Sequence, residues 1–137
     1  YTPELLGLAT RLADWPMLAD AECLGEARSP TCGSSVAVSL KLNSVGHITT
    51  IGLRAHACAV GQASAALFAE SAIGQSEAGI VAALADITSW LGGDAALPDW
   101  PGLTAIAAAR PFAPRHGAIL LPWKASLAAL SSPPAPR

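Results

Sequence analysis

The chain has 137 residues, 13% of them charged, and a formal net charge of −2; that is enough for one hydrophobic core but offers no basic face to track phosphates, which argues against nucleic-acid binding. Its mean hydropathy of +0.42 comes from thirty alanines spread along the chain, and no apolar run approaches the ~18–20 residues of a membrane span. The three cysteines are an odd number, and residues 1–14 show no basic segment followed by an apolar one, so we expect reduced thiols in a cytoplasmic setting rather than a disulfide framework.

Leu5, Leu8, Ala9 and Leu12 recur at i, i+3, i+4 and i+7 behind Pro3, the pattern of a short amphipathic helix ending near Trp15-Pro16. Residues 19–24 are expected to form a first strand, and residues 28–33 a polar loop holding Pro30 and Gly33. Val36, Val38, Leu40 and Leu42 alternate with Ser35, Ala37, Ser39 and Lys41, the period of a half-buried strand. Asn43-Ser44-Val45-Gly46 supplies turn chemistry. A return strand is expected over residues 47–57, with Thr49, Ile51 and Leu53 on one face and Thr50, Arg54, His56 and Cys58 on the other.

From Gly61 to about Ser71 the pattern is helical. A further helix carries Ile80, Leu84, Ile87 and Leu91 and stops at Gly92-Gly93, residues that tolerate a left-handed cap. Residues 94–102 read as a loop, and residues 103–109 as a short helix stopped before Pro111. A last helix places Leu120, Trp123, Leu127 and Leu130 on one stripe. Pro122 lacks an N–H, and only the first four helix N–H groups go unpaired, so that helix is expected to start no earlier than about Ala118. Strands first and helices later describe an α+β domain, a three-stranded antiparallel sheet with helices packed on one face. It is expected to occupy residues 1–130, with residues 131–137 a disordered Ser/Pro-rich tail.

Cys58 falls where a strand passes into a helix, and helix N-termini favour the thiolate, the form that binds metal or attacks sulfur. The competing reading is a small buried hydrophobe. Cys32 lies in a loop ahead of a strand, before Gly33; Cys23 fits no motif and reads as a packing residue. In ideal alternation His56 shares a face with Cys58, ~7 Å away along the strand. His116 precedes the last helix beside Arg115 and Gly117, and His47 adjoins the hairpin turn as a surface group. Cys32, Cys58, His116 and one further donor would make a mixed set of the kind zinc accepts, although no CxxC or HxxxH spacing is present.

Three phrases carry a resemblance. Ser29-Pro30-Thr31-Cys32-Gly33-Ser34 is similar to Asn-Pro-Thr-Cys-Gly-Asp, and Ala57-Cys58-Ala59-Val60-Gly61-Gln62-Ala63-Ser64 to Gly-Cys-x-Ile-Ser-x-Ala-Ser. The stretch from Arg115 and His116 through Leu121, Pro122 and Trp123 is similar to a basic residue followed by Cys and Leu-x-Trp. In this order they resemble the IscU/SufU/NifU N-terminal family of iron–sulfur cluster assembly scaffolds, over most of the chain from Tyr1 to Trp123. The resemblance implies the SufE/NifU-type fold and a non-enzymatic role in cluster assembly. It also implies Cys32 and Cys58 as ligands of an iron–sulfur cluster or Zn2+, with His116 as a substitute third. Implied partners are a cysteine desulfurase or iron–sulfur proteins.

Two of the four family ligand positions are changed: Ser34 stands where the family has aspartate, and Ala118 where it has the third cysteine. A [2Fe–2S] unit is commonly held by four thiolates, so two cysteines leave the set incomplete without histidine, a second subunit or a small thiol. The leading expectation is therefore a scaffold-like protein with a degenerate metal site. The alternative is a fold without that chemistry, kept as an interaction module or accessory subunit of a larger iron–sulfur-containing complex. A third is a thiol or persulfide carrier using Cys58 with His56 or His116 as base. All of this requires Cys32, Cys58 and the segment around His116 to meet at one end of the domain.

Overall fold

In the computed structural model, which describes residues 2–30 and 33–131, the chain opens with helix α1 (Pro3–Arg11). Thr2 caps it by accepting the Leu5 N–H at 3.1 Å, and Pro3 occupies the first turn, where its missing N–H goes unnoticed. After a 3-10 turn at Leu12–Asp14, three strands follow: β1 (Cys23–Arg28), β2 (Ser35–Leu42) and β3 (Ile48–His56). They form one antiparallel sheet in the order β1-β2-β3.

β1 begins four residues later than expected and runs on to Arg28. Its pairing from Cys23↔Leu40 to Arg28↔Ser35 puts Cys23, Gly25 and Ala27 on the inner face and Leu24, Glu26 and Arg28 outside. Small residues alternating with charged ones give little hydropathy contrast, which hides the strand in the sequence. Residues 20–22 serve as its approach. Asp20 pairs with Lys41 at 2.6 Å, and the hydrogen bond and charge of Lys41 hold its carboxyl below the usual range.

β2 is not half-buried: Ser35 to Leu40 are buried on both faces. Helices cover Val36, Val38 and Leu40, while residues 15–18 cross the opposite face. There Ser39 Oγ accepts the Leu18 N–H at 3.0 Å and donates to Gly52 O at 3.2 Å. Leu53 N–H donates to Trp15 O at 2.8 Å. On β3, Thr49 is exposed rather than sharing the buried face of Ile51 and Leu53. The register passes from Lys41↔Thr50 to Leu42↔Ile48, so Thr49 is an extra residue, and a bulge reverses the alternation beyond it. The Asn43 side chain accepts from Val45 N and His47 N, and Gly46 has φ +85°, as the turn chemistry requires.

Helix α2 (Ala59–Ala72) is buried on nearly every side, with alanines that let α1, β3 and the last helix approach. Helix α3 (Glu77–Leu91) is capped by Ser76, which accepts the Gly79 N–H at 3.1 Å. Gly93 turns the chain with φ +87°, and a 3-10 helix spans Leu103–Ala109. Phe68 stacks on Trp100 at 5.3 Å, and Trp123 meets both edge-on, locking the loop before the 3-10 helix onto α2.

Helix α4 (Ala113–Ser131) corrects the limit set by Pro122, because it begins five residues earlier than Ala118. An internal proline forfeits one helix bond and disfavours the turn before it by ~3 kcal/mol. Here that is offset by continuous burial from Ala118 to Trp123 and at Ala125, Ser126 and Ala129. Ser64 adds compensation, its buried hydroxyl donating to Ile119 O at 2.6 Å, on the turn that the proline loosens. Ser64→Ala removes this second, side-chain hydrogen bond and is expected to lower stability by about 0.5–1.5 kcal/mol; an unchanged urea midpoint would remove this role. Ser131 closes α4, and the remainder of the expected tail lies outside the described residues.

Candidate metal end of the domain

The pairs Arg28↔Ser35 and Ser35↔His56 put both anchors of the β1–β2 loop beside the exit of β3. The loop is closed by Ser29 N–H to Ser34 O at 2.8 Å and Gly33 N–H to Ser29 O at 3.0 Å. Gly33 adopts φ +72°, a conformation glycine takes without strain, and Ser29 and Ser34 are both buried. Thr31 and Cys32, and with them the expected ligand role of Cys32, lie outside the described residues.

At the β3 exit, a bend at Ala57 leads to Cys58, the extended N-cap residue of α2, whose side chain makes no capping bond. Its thiol sits at the positive end of the α2 dipole, half-buried against the core. Gln62 Nε2 donates to Ala57 O at 3.0 Å and Gln62 N–H to Cys58 O at 2.9 Å, which pins the turn. His56 is exposed at the strand's last position. The strand ends there and the chain bends at Ala57, so strand alternation does not carry through to Cys58.

Ala118 reaches the same turn from α4. It is fully buried, and its Cβ lies 3.4 Å from where a Gly61 Cβ would stand, with Ala57 Cβ at 2.7 Å from that point. Three small residues thus close the space between α4 and the first turn of α2.

His116 lies two positions before Ala118, about 200° around the helix. Its Nε2 is 2.5 Å from Arg110 O. A carbonyl only accepts, so Nε2 carries the hydrogen of this bond. No motif marks Arg110; its place comes from tertiary structure, with Nε donating to Trp90 O at 2.6 Å and the guanidinium 5.6 Å over the Trp90 ring. His116 is thereby tied toward the end of α3. Cys23, at the far end of β1, packs against the core, and burial, then the neighbouring Glu22, pushes its thiol up.

The loop, Cys58 and Ala118 therefore meet at one end of the domain. Among the described residues no three His, Cys, Asp or Glu side chains are grouped to hold an ion. The donors present among those residues do not fit a resident metal or cluster. No helix among them is long and apolar enough to cross a membrane.

No protein-family model and no curated protein matches the chain. Solved structures do. The N-terminal part of a nitrogen-fixing NifU-like protein from Brucella abortus is similar at TM-score 0.86 and 26% identity, over 95% of this chain and 91% of that one. A protein from Fervidobacterium islandicum AW-1, described as an iron–sulfur cluster assembly scaffold for the SUF system, is similar in fold at TM-score 0.84 and 20% identity, over 96% of each chain. With the three phrases in the same order, the chain shares the three-stranded α+β fold of these two proteins over nearly its whole described length.

Proposed function

We propose that this chain serves iron–sulfur cluster assembly as a scaffold-like protein whose metal end is degenerate. The observation that carries the reading is the meeting of the 29–34 loop, Cys58 and Ala118 at one end, on a fold similar to a NifU-like protein and a SUF-system scaffold. Cys58, with Cys32 as its candidate companion, supplies too few thiolates for a cluster. The cargo, whether a cluster or a zinc ion, is completed by donors from outside the chain: a cysteine desulfurase, an iron–sulfur partner protein or a small thiol. The chain itself holds and presents rather than catalyses, in a cytoplasmic setting.

Anaerobic reconstitution with ferrous iron and sulfide tests this reading. Cluster absorption is expected only when glutathione or another thiol is supplied, and Cys58→Ser or Cys32→Ser is expected to abolish it. No absorption under any condition, with bound metal unaffected by either substitution, overturns the proposal.

A second reading is favoured by one observation. Ala118 is packed against Gly61 and Ser34 is buried, so both altered ligand positions are built into the core rather than left open. That suits an interaction module or accessory subunit of a larger iron–sulfur-containing complex. Metal analysis of chelator-free protein combined with native mass separates the two: no metal and a stoichiometric partner favour the module. The persulfide-carrier reading draws the least support, since β3 ends at His56 before Cys58 and His116 Nε2 is engaged by Arg110 O.

A further inference from the structure

A cavity of about 340 Å³ lies beside the metal end, within the roughly 300–1,000 Å³ typical of small-ligand sites. Its walls come from four parts of the fold: Leu5 from α1, Val60 from the first turn of α2, Ala109 from the 3-10 helix, and Phe112 just before α4 with Arg115 in its first turn. Thr2 supplies a hydroxyl. Among the described residues the rest of the lining is apolar, Arg115 is its one charged side chain, and no acidic residue lines it. We propose that this cavity binds a small amphipathic acid, its hydrocarbon body against Leu5, Val60 and Ala109 and its carboxylate on the Arg115 guanidinium.

Four features favour that occupant. A guanidinium presents five donors in a planar fork matching a carboxylate, and an intramolecular partner does not exhaust them. Thr2 Oγ1 already accepts the Leu5 N–H, which leaves its own hydrogen to donate to an anionic head. Alanines on the 3-10 helix keep the cavity open where larger residues would fill it. Phe112, 62% exposed, stands in the lining as an aromatic surface that a hydrocarbon chain would cover.

The test uses octanoate, octan-1-ol and octylammonium as probes that share a hydrocarbon body and differ in head charge, followed by amide chemical shifts of the full chain. Octanoate is expected to give saturable shifts at Leu5, Val60, Ala109 and Arg115, with affinity about tenfold above octan-1-ol, as one charge-assisted pair implies. Octylammonium is expected to bind more weakly than the alcohol. Arg115→Gln should erase the preference for octanoate while leaving octan-1-ol unchanged. Ala108→Leu, at an exposed position on the lining, should weaken both.

Equal affinity for the three probes, shifts scattered away from these residues, or an unaltered preference in Arg115→Gln overturns the proposal. If Arg115→Gln does not fold, Arg115→Lys keeps the charge without the fork and is expected to reduce the preference. An unchanged octanoate preference in that variant counts against the bidentate contact. No thiol or metal enters these readouts, so failure here is separate from failure of the assembly reading.

Discussion

Gly25→Ala is expected to destabilise the fold by more than about 3 kcal/mol, at the upper end of overpacking effects and a large fraction of a typical domain's roughly 5–15 kcal/mol. Gly25 sits in β1 directly under α4. A Cβ there would stand 2.3 Å from Ala125 O, 2.4 Å from Ala129 N and 2.8 Å from Ala129 Cα. All three neighbours are backbone atoms, so no side chain can swing aside. The helix must lift from the sheet, and with it the packing of Trp123 on Phe68 and Trp100. The same exchange at Gly7, exposed in α1 with nothing within 4 Å of its Cβ position, is expected to stabilise by about 0.5–1 kcal/mol. Urea denaturation of the two variants should move the midpoint in opposite directions. A Gly25→Ala midpoint within error of the parent would show that α4 does not lie this close to β1.

The largest functional effect is expected from restoring the two altered positions together. Ser34→Asp with Ala118→Cys returns a carboxylate and a thiol to the end that already holds Cys58. The added sulfur must be accommodated where Ala118 is closed against Gly61 and Ala57, so a folded double variant is the premise of the test. Zinc affinity, measured by competition with a chelating dye, is expected to rise more than about a hundredfold. That is the upper limit of what outer-shell changes alone achieve, and adding inner ligands should exceed it. Each single variant should fall well short, because a half-completed set leaves a buried polar group unpaired. A folded double variant with parental affinity would mean that the 29–34 loop and the first turn of α4's buried stretch do not share an ion's reach.

How much of this was legible in the sequence differs from element to element. The β2–β3 hairpin was readable because Val36, Val38 and Leu40 alternate strictly and Asn43 and Gly46 supply the turn. α3 was readable because Ile80, Ile87 and Leu91 repeat at helical spacing with glycines behind them. β1 was displaced, since Gly25, Ala27 and Cys23 are too small to produce a periodic signal. At Thr49 a single extra residue inverted the faces, and no local pattern announces a bulge. The start of α4 was misjudged because the proline rule counts only local bonds. Pro114, in the first turn, marks the true start, and burial along the helix together with Ser64 outweighs the lost bond at Pro122.

The candidate site divides the same way. Motif order in the chain was sufficient to identify the family resemblance, to single out Cys58 at a strand-to-helix junction and to flag Ser34 and Ala118 as departures, because these depend on residue identity and spacing alone. That Ala118 is sealed against Gly61, that His116 turns to Arg110, and that β3 ends at His56 before reaching Cys58 were decided by tertiary structure. Each depends on which backbones pass within a few ångströms of one another. Such contacts join residues far apart in the chain, as Ser64 and Ile119 do, and no window of neighbouring residues encodes the distance between them.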